Sequence, residues 1–196
     1  MELKDGIQTF YAASRKDWRR WLEAHHATEK SVWLIIYKKE SEVPSIYYPE
    51  AVDEALCFGW IDSKGNKRDA QSYYQFFSKR SLKSNWSKIN KDKVEMLLAQ
   101  GLMAPAGLKM IEHAKANNTW NALDDVENLV VPDDLQKAFD KNTQAFTYWQ
   151  KFPRSARRGI LEWILNAKRP ETRQKRIDET VKLANDNIRA NQYRKS

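Results

Sequence analysis

The sequence predicts an α+β protein: a small antiparallel sheet of about three strands with flanking helices, followed by a C-terminal helical bundle. Three observations carry this expectation. Ser31 to Lys38, SVWLIIYK, is an unbroken β-branched and aromatic run bounded by polar residues, the pattern of a buried strand. Two further apolar stretches, beginning at Trp60 and Tyr73, flank the turn-rich segment SKGNKRD as a hairpin would. From Asn85 onward the apolar residues change to helical spacing and keep it.

Taken in order, residues 14–26 read as an amphipathic helix with Ser14 as N-cap and Trp18, Trp21, Leu22 and His25 on one face. The adjacent His25 and His26 point in different directions on a helix and have no cysteine or carboxylate set to complete a metal site. After the first strand, Pro44 breaks the KESEVPS loop, and Pro49 and Glu50 suit the first turn of a short acidic helix. Ala51, Val52, Ala55 and Leu56 form its expected buried face, with Glu50, Asp53, Glu54 and Cys57 on the other side. Gly59 ends that helix, Trp60-Ile61-Asp62 opens a strand, and Tyr73–Lys79 returns as its partner. Ser84 is the expected cap of a helix carrying Trp86, Ile89, Val94, Leu97 and Leu98 and stopped by Gly101. Pro105 starts another that ends near Asn117. The remainder reads as helices over 132–141, 142–151, 153–167 and 170–191, with NQYRKS fraying at the end. The expected organisation is an α+β domain over 1–118, an acidic linker over 119–131, and a basic helical region over 132–196 packed on the first.

The net charge of +8 is unevenly placed. Residues 1–150 carry 21 basic and 21 acidic side chains, whereas 151–196 carry 13 and 5. Arg157, Arg158, Arg173, Lys175 and Arg176 are therefore candidate anion-binding residues, and nucleic acid or an anionic surface is the partner they suggest. The competing reading pairs them with the acidic run Asp124–Asp134, which has five acids and no base. No apolar run approaches the roughly 18 residues that span a bilayer. The N-terminus lacks the pattern of a signal peptide, and the lone Cys57 excludes an internal disulfide. The expected compartment is the cytoplasm.

Signatures of catalysis are missing: there is no G-x-G-x-x-G, P-loop, H-E-x-x-H or C-x-x-C, and neither a cofactor nor a metal is expected. A nucleophilic Cys57 would sit at a helix C-terminus, where the dipole disfavours thiolate. Asp62 emerges from an apolar strand beside Gly59, and Arg80 at the end of the returning strand is its expected partner. This pair serves either as a salt bridge pinning the hairpin or as the rim of a pocket walled by Trp60, Tyr74 and Trp86.

The segments SVWLIIYKKES, YYPEAVDEALCFGWIDS, YYQFFSKR, NWSKIN and GLMAPAG, with VPDDLQKAF and AKRPETRQKRI nearer the C-terminus, resemble the YdeI/OmpD-associated family, also called bacteriocin-protection proteins. The resemblance runs over about residues 30–190, departing at FSKR, where relatives often carry a proline and a second arginine. It implies motif positions at Glu50, Asp53, Trp60, Asp62, Arg80, Trp86, Ser87 and Asn90, and implies no catalytic residues. With Tyr74 added, these form the candidate ligand pocket, expected to take a small anionic or polar molecule in a stress or antimicrobial-peptide tolerance protein. The alternatives are nucleic-acid binding by the basic C-terminal helices and an enzyme with Asp62 as general base.

Overall fold

The long apolar run becomes the middle strand of the sheet. The computed structural model describes residues 2–192. The strands are β1 (Leu3–Lys4), β2 (Ile7–Tyr11), β3 (Ser31–Tyr37), β4 (Trp60–Lys67) and β5 (Ser72–Lys79), in the order β1-β2-β3-β5-β4. The chain divides into two compact units, Met1–Asn121 and Ala122–Ser196. The fold is mixed α/β, with a larger sheet than the sequence predicts and one parallel pair in it. Asp5 and Gly6, both at positive φ (52° and 73°), turn β1 back onto β2. β2 then lies parallel to β3, with Thr9 opposite Trp33, because helix α1 (Arg15–His25) forms the crossover between them. Only Thr9 of β2 is fully buried, so this strand leaves little apolar signature.

The β3–β5 register sets Val32 against Phe77, Leu34 against Gln75 and Ile36 against Tyr73. These strand residues face the core with the four helices α1, α2 (Tyr48–Cys57), α3 (Lys88–Ala99) and α4 (Pro105–Ala116). Trp33, Ile35, Tyr74 and Phe76 alternate to the opposite face, where Lys4 and Lys64 lie over the Trp33 ring. β4 continues to Lys67 through a register shift between Asp62 and Gly65, so part of the expected turn is strand. The turn itself tightens around Asp69, whose Oδ1 accepts the Gln71 and Ser72 N–H groups at 2.8 and 2.7 Å.

Helix α2 departs furthest from expectation. All of Ala51–Cys57 is buried, including the side predicted to face outward. The Glu54 carboxylate, 3% exposed, receives Arg15 Nε at 2.5 Å and Arg19 Nη1 at 2.8 Å, both from α1, and Asp53 pairs with Lys93 of α3. Trp18 Nε1 donates to the Ala51 carbonyl at 3.0 Å and ties the same two helices together. At the other end of α2, Gly59 adopts φ +71°, and the Ala104 N–H caps the Cys57 carbonyl at 3.1 Å. Helix α4 then approaches so closely that a Cβ on Gly107 would lie 2.2 Å from the Cys57 carbonyl oxygen. That contact accounts for the last glycine of GLMAPAG.

Ser87, not Ser84, caps α3, so Trp86 precedes the helix. Val94 and Leu97 reach the core, while Ile89 and Leu98 stay exposed. The second unit contains α5 (Asp124–Glu127), α6 (Asp133–Asp140), α7 (Thr143–Lys151), α8 (Arg154–Leu165) and α9 (Pro170–Asn185). Its core gathers Leu135, Phe139, Trp149, Ile160, Ile164 and Ile177. The acidic stretch is more than a connection, since Leu123 and Val126 are buried in this core. Helix α9 ends six residues earlier than its expected limit of Asn191, and Asn187 and Asn191 both have positive φ. The fraying expected for NQYRKS falls, for 193–196, outside the described residues.

Gly107→Ala should destabilise the protein by about 2 kcal/mol or more in urea unfolding, because helix backbone must move off helix backbone. Gly159→Ala in α8, where a Cβ meets nothing within 4 Å, should be neutral or stabilising by up to about 1 kcal/mol.

Candidate functional site

The N-terminus of α2 and the end of β3 enclose a cleft of about 500 Å³. It is lined by the cross-strand pair Ile36 and Tyr73, by Tyr37, Lys38 and Lys39, and by Tyr47, Tyr48, Pro49 and Glu50. A second hollow of about 310 Å³ shares Tyr37, Lys38, Lys39 and Tyr47 with it and runs on along Val43, Pro44 and Ser45. Several contacts hold this rim. Glu50 Oε2 accepts the Tyr47 N–H at 3.2 Å, and the Tyr37 N–H donates to Ser45 Oγ at 3.0 Å. Tyr11 stands edge-on to Tyr37 at 5.4 Å and donates its hydroxyl to the Pro44 carbonyl. Lys38 Nζ donates to the Ala70 carbonyl at 2.8 Å, and Lys39 Nζ sits 4.9 Å from the Tyr47 ring centroid. Tyr47 and Tyr48 remain exposed.

Asp62 joins this region through Tyr48, whose hydroxyl donates to Asp62 Oδ2 at 2.6 Å. Partial burial, then the neighbouring Asp62, holds the Tyr48 phenol above its ordinary ionisation range. Arg80 is not the partner of Asp62. The β4–β5 register sets Asp62 opposite Phe77 and Trp60 opposite Lys79, which leaves Arg80 beyond the paired strands. Its backbone N–H donates to the Gly59 carbonyl at 3.0 Å. The guanidinium lies 3.8 Å from the Trp86 ring centroid, and Nη2 donates to the Asn85 carbonyl at 2.5 Å. Arg80 is 5% exposed, and burial brings its ionisation down to about 10.

The nine expected pocket residues therefore occupy several places. Of them, Glu50 lines the cleft, and Asp62 adjoins it through Tyr48. Asp53 is buried against Lys93, and Trp60 is a core residue set edge-on to Trp21 with Nε1 3.3 Å from the His26 carbonyl. Tyr74 lies on the opposite sheet face, donating to Glu2. Arg80, Trp86, Ser87 and Asn90 cluster where the chain enters α3; Ser87 Oγ accepts the Asn90 N–H at 3.4 Å. The tyrosines and lysines of the cleft were absent from the expected set, although the Lys38-Lys39 pair at a strand end and the Tyr47-Tyr48-Pro49 entry to a helix mark them in the sequence.

The C-terminal candidates are largely spoken for. Arg158 reaches Glu127 at 2.6 Å and Glu162 at 2.8 Å, while Arg173 grips Asp134 at 2.6 and 2.9 Å. Arg173 in turn holds the Asp134 carboxyl below its usual range. Arg176 stacks on Trp163 and donates to its carbonyl. Arg157 Nε is buried without a partner, and Lys175 is exposed. Cys57 is fully buried, and burial, with Glu54 nearby, pushes its thiol up to about 11. Among the described residues no group of three or more His, Cys, Asp or Glu is placed to hold a metal ion, and no helix is long and apolar enough to cross a membrane.

Residues 10–110 match a domain of unknown function, DUF8412, and thus include the whole cleft, the Arg80 corner and α2. The chain belongs to the DUF8412 family. Residues 128–187 match the bacteriocin-protection, YdeI or OmpD-associated family, so the resemblance read from the sequence is shown over that segment. ALCFGWID and WSKIN, which carried much of the resemblance, lie in the DUF8412 match instead. No curated protein and no solved structure matches the chain.

In a tyrosine-resolved NMR pH titration, Tyr48 should ionise above the ordinary tyrosine value of about 10. Asp62→Asn should lower that pKa, because the carboxylate disfavours the phenolate. A Tyr48 titration indifferent to Asp62→Asn would contradict the pairing.

Proposed function

We propose that this chain is a ligand-binding protein whose site is the tyrosine-lined cleft at the start of α2. The ligand class is a small anion with a flat apolar body, such as an aromatic carboxylate. The observation that carries this reading is the cleft itself. Its volume of about 500 Å³ falls within the roughly 300–1,000 Å³ of small-molecule sites, and four tyrosines share it with two lysines. Tyrosine rings offer flat faces with little rotamer entropy to lose, and the lysines supply the attraction for the anionic group.

Asp62 enters this reading as the residue that orients Tyr48, in place of the pocket-rim pair with Arg80. The enzymatic alternative would have to free Asp62 from that hydroxyl before it acted as a base. Binding of nucleic acid by the C-terminal helices is disfavoured by the ion pairs that already engage Arg158 and Arg173. A role in bacteriocin or antimicrobial-peptide tolerance rests on the description of the family matched by 128–187, and supplies a setting for the ligand rather than its identity.

Calorimetric titration with a panel of aromatic carboxylates at constant ionic strength tests the proposal. At least one should bind the wild type and lose about tenfold or more in affinity in both Lys39→Ala and Tyr47→Ala, two exposed positions whose replacement leaves the core intact. Failure of the whole panel to bind, or binding indifferent to both substitutions, would overturn it.

A further inference from the structure

Arg80 poses a separate problem, away from the cleft. An arginine buried to this degree is ordinarily matched by a carboxylate, because removing its charge from water costs several kcal/mol. The nearby acids of the first unit are committed elsewhere: Asp53 to Lys93, Glu54 to Arg15 and Arg19, Asp62 to Tyr48. What holds the Arg80 guanidinium is uncharged: the face of Trp86 and the Asn85 carbonyl. Its Nε is buried with no partner, and Nη1 donates to no described residue.

The surroundings add positive charge. Trp86 immediately precedes Ser87, the N-cap of the 12-residue helix α3, so the positive end of that helix lies beside the guanidinium. Ser87 Oγ accepts the Asn90 N–H and keeps its own hydrogen to donate. Trp120 packs on Trp86 with ring centroids 5.0 Å apart, and its ring is approached by Lys115 Nζ at 5.4 Å and Lys91 Nζ at 6.0 Å. An arginine, Lys115 and a helix N-terminus thus gather around two tryptophans. Like charges brought together in a partly dehydrated corner repel one another unless an anion joins them.

We propose that this corner is a binding site for a phosphate-type oxyanion, either free phosphate or a phosphate monoester. The unpaired edge of the Arg80 guanidinium and the start of α3 are the donors, Lys115 supplies further positive charge, and Trp120 forms the wall. A guanidinium fork and helix N–H groups match the tetrahedral arrangement of phosphate oxygens, and the tryptophan wall gives an ester's organic group a surface to lie on. The site is independent of the cleft in position and ligand, so either can fail without the other.

The test is titration of the full chain with sodium phosphate, at ionic strength held constant with sodium chloride, followed by the Arg80 Nε–Hε and Trp120 indole NMR signals. Both signals should shift saturably, with a dissociation constant of about 1 mM or tighter. Arg80→Lys, which keeps the charge and loses the fork, should weaken binding about fivefold or more. If that variant does not fold, as judged by circular dichroism, the exposed Lys115→Gln should show a weakening of at least about threefold. Phenyl phosphate binding more tightly than phosphate identifies a monoester site; equal or weaker binding identifies a free-phosphate site. Signals that stay still at about 20 mM phosphate, or an unchanged affinity in the variant that decides, would overturn the proposal.

Discussion

The buried carboxylate of Glu54, held between Arg15 and Arg19, is the interaction on which the first unit depends. Helix α2 lies in the core on all sides over Ala51–Cys57, which an acidic helix can do only if its charges are met there. Two arginines from α1 and Lys93 from α3 meet them. Arg19 also donates Nη2 to the Leu102 carbonyl at 3.0 Å, linking α1 to the segment that leads into α4. With α2 pinned at mid-length, its first turn forms one wall of the tyrosine cleft. Its last carbonyl sits where only a glycine on α4 can pass.

Much of this was legible in the sequence, and the misses have physical causes. Ser14 capping α1, the strand core of SVWLIIY, the hairpin partners and Gly59 ending α2 are local signals, and the structure reproduces them. Strand β2 was missed because burial touches only Thr9 fully, so no alternating pattern announces it, although Asp5-Gly6 does mark its turn. The outward side of α2 was misjudged because helical periodicity treats acids as solvent-facing. Nothing local to α2 reveals that Arg15 and Arg19, some 35 residues earlier, reach back to Glu54. The Asp62–Arg80 pairing failed by strand register: both residues sit at the open end of the β4–β5 hairpin, yet Asp62 faces Phe77 and Arg80 lies past the last paired residue, Lys79.

Positive charge in this chain falls into two kinds. Arg15, Arg19, Arg158 and Arg173 have carboxylate partners and serve the fold, including the neutralisation of the acidic run through Glu127 and Asp134. Lys39 and Arg80 rest on aromatic rings and pair with no carboxylate among the described residues. That distinction, invisible in a net charge of +8, separates cations that hold the protein together from those available to a ligand. The cleft and the Arg80–Trp86 part of the second region lie within the DUF8412 match, and Lys115 and Trp120 lie just past it.

The central claim is that Glu54 and its arginines act as one unit in fixing α2. A double-mutant cycle of Glu54→Gln and Arg19→Gln, read by urea unfolding, measures it most directly. The account predicts a coupling energy of about 1.5 kcal/mol or more between the two substitutions. Additivity within about 0.5 kcal/mol would contradict it.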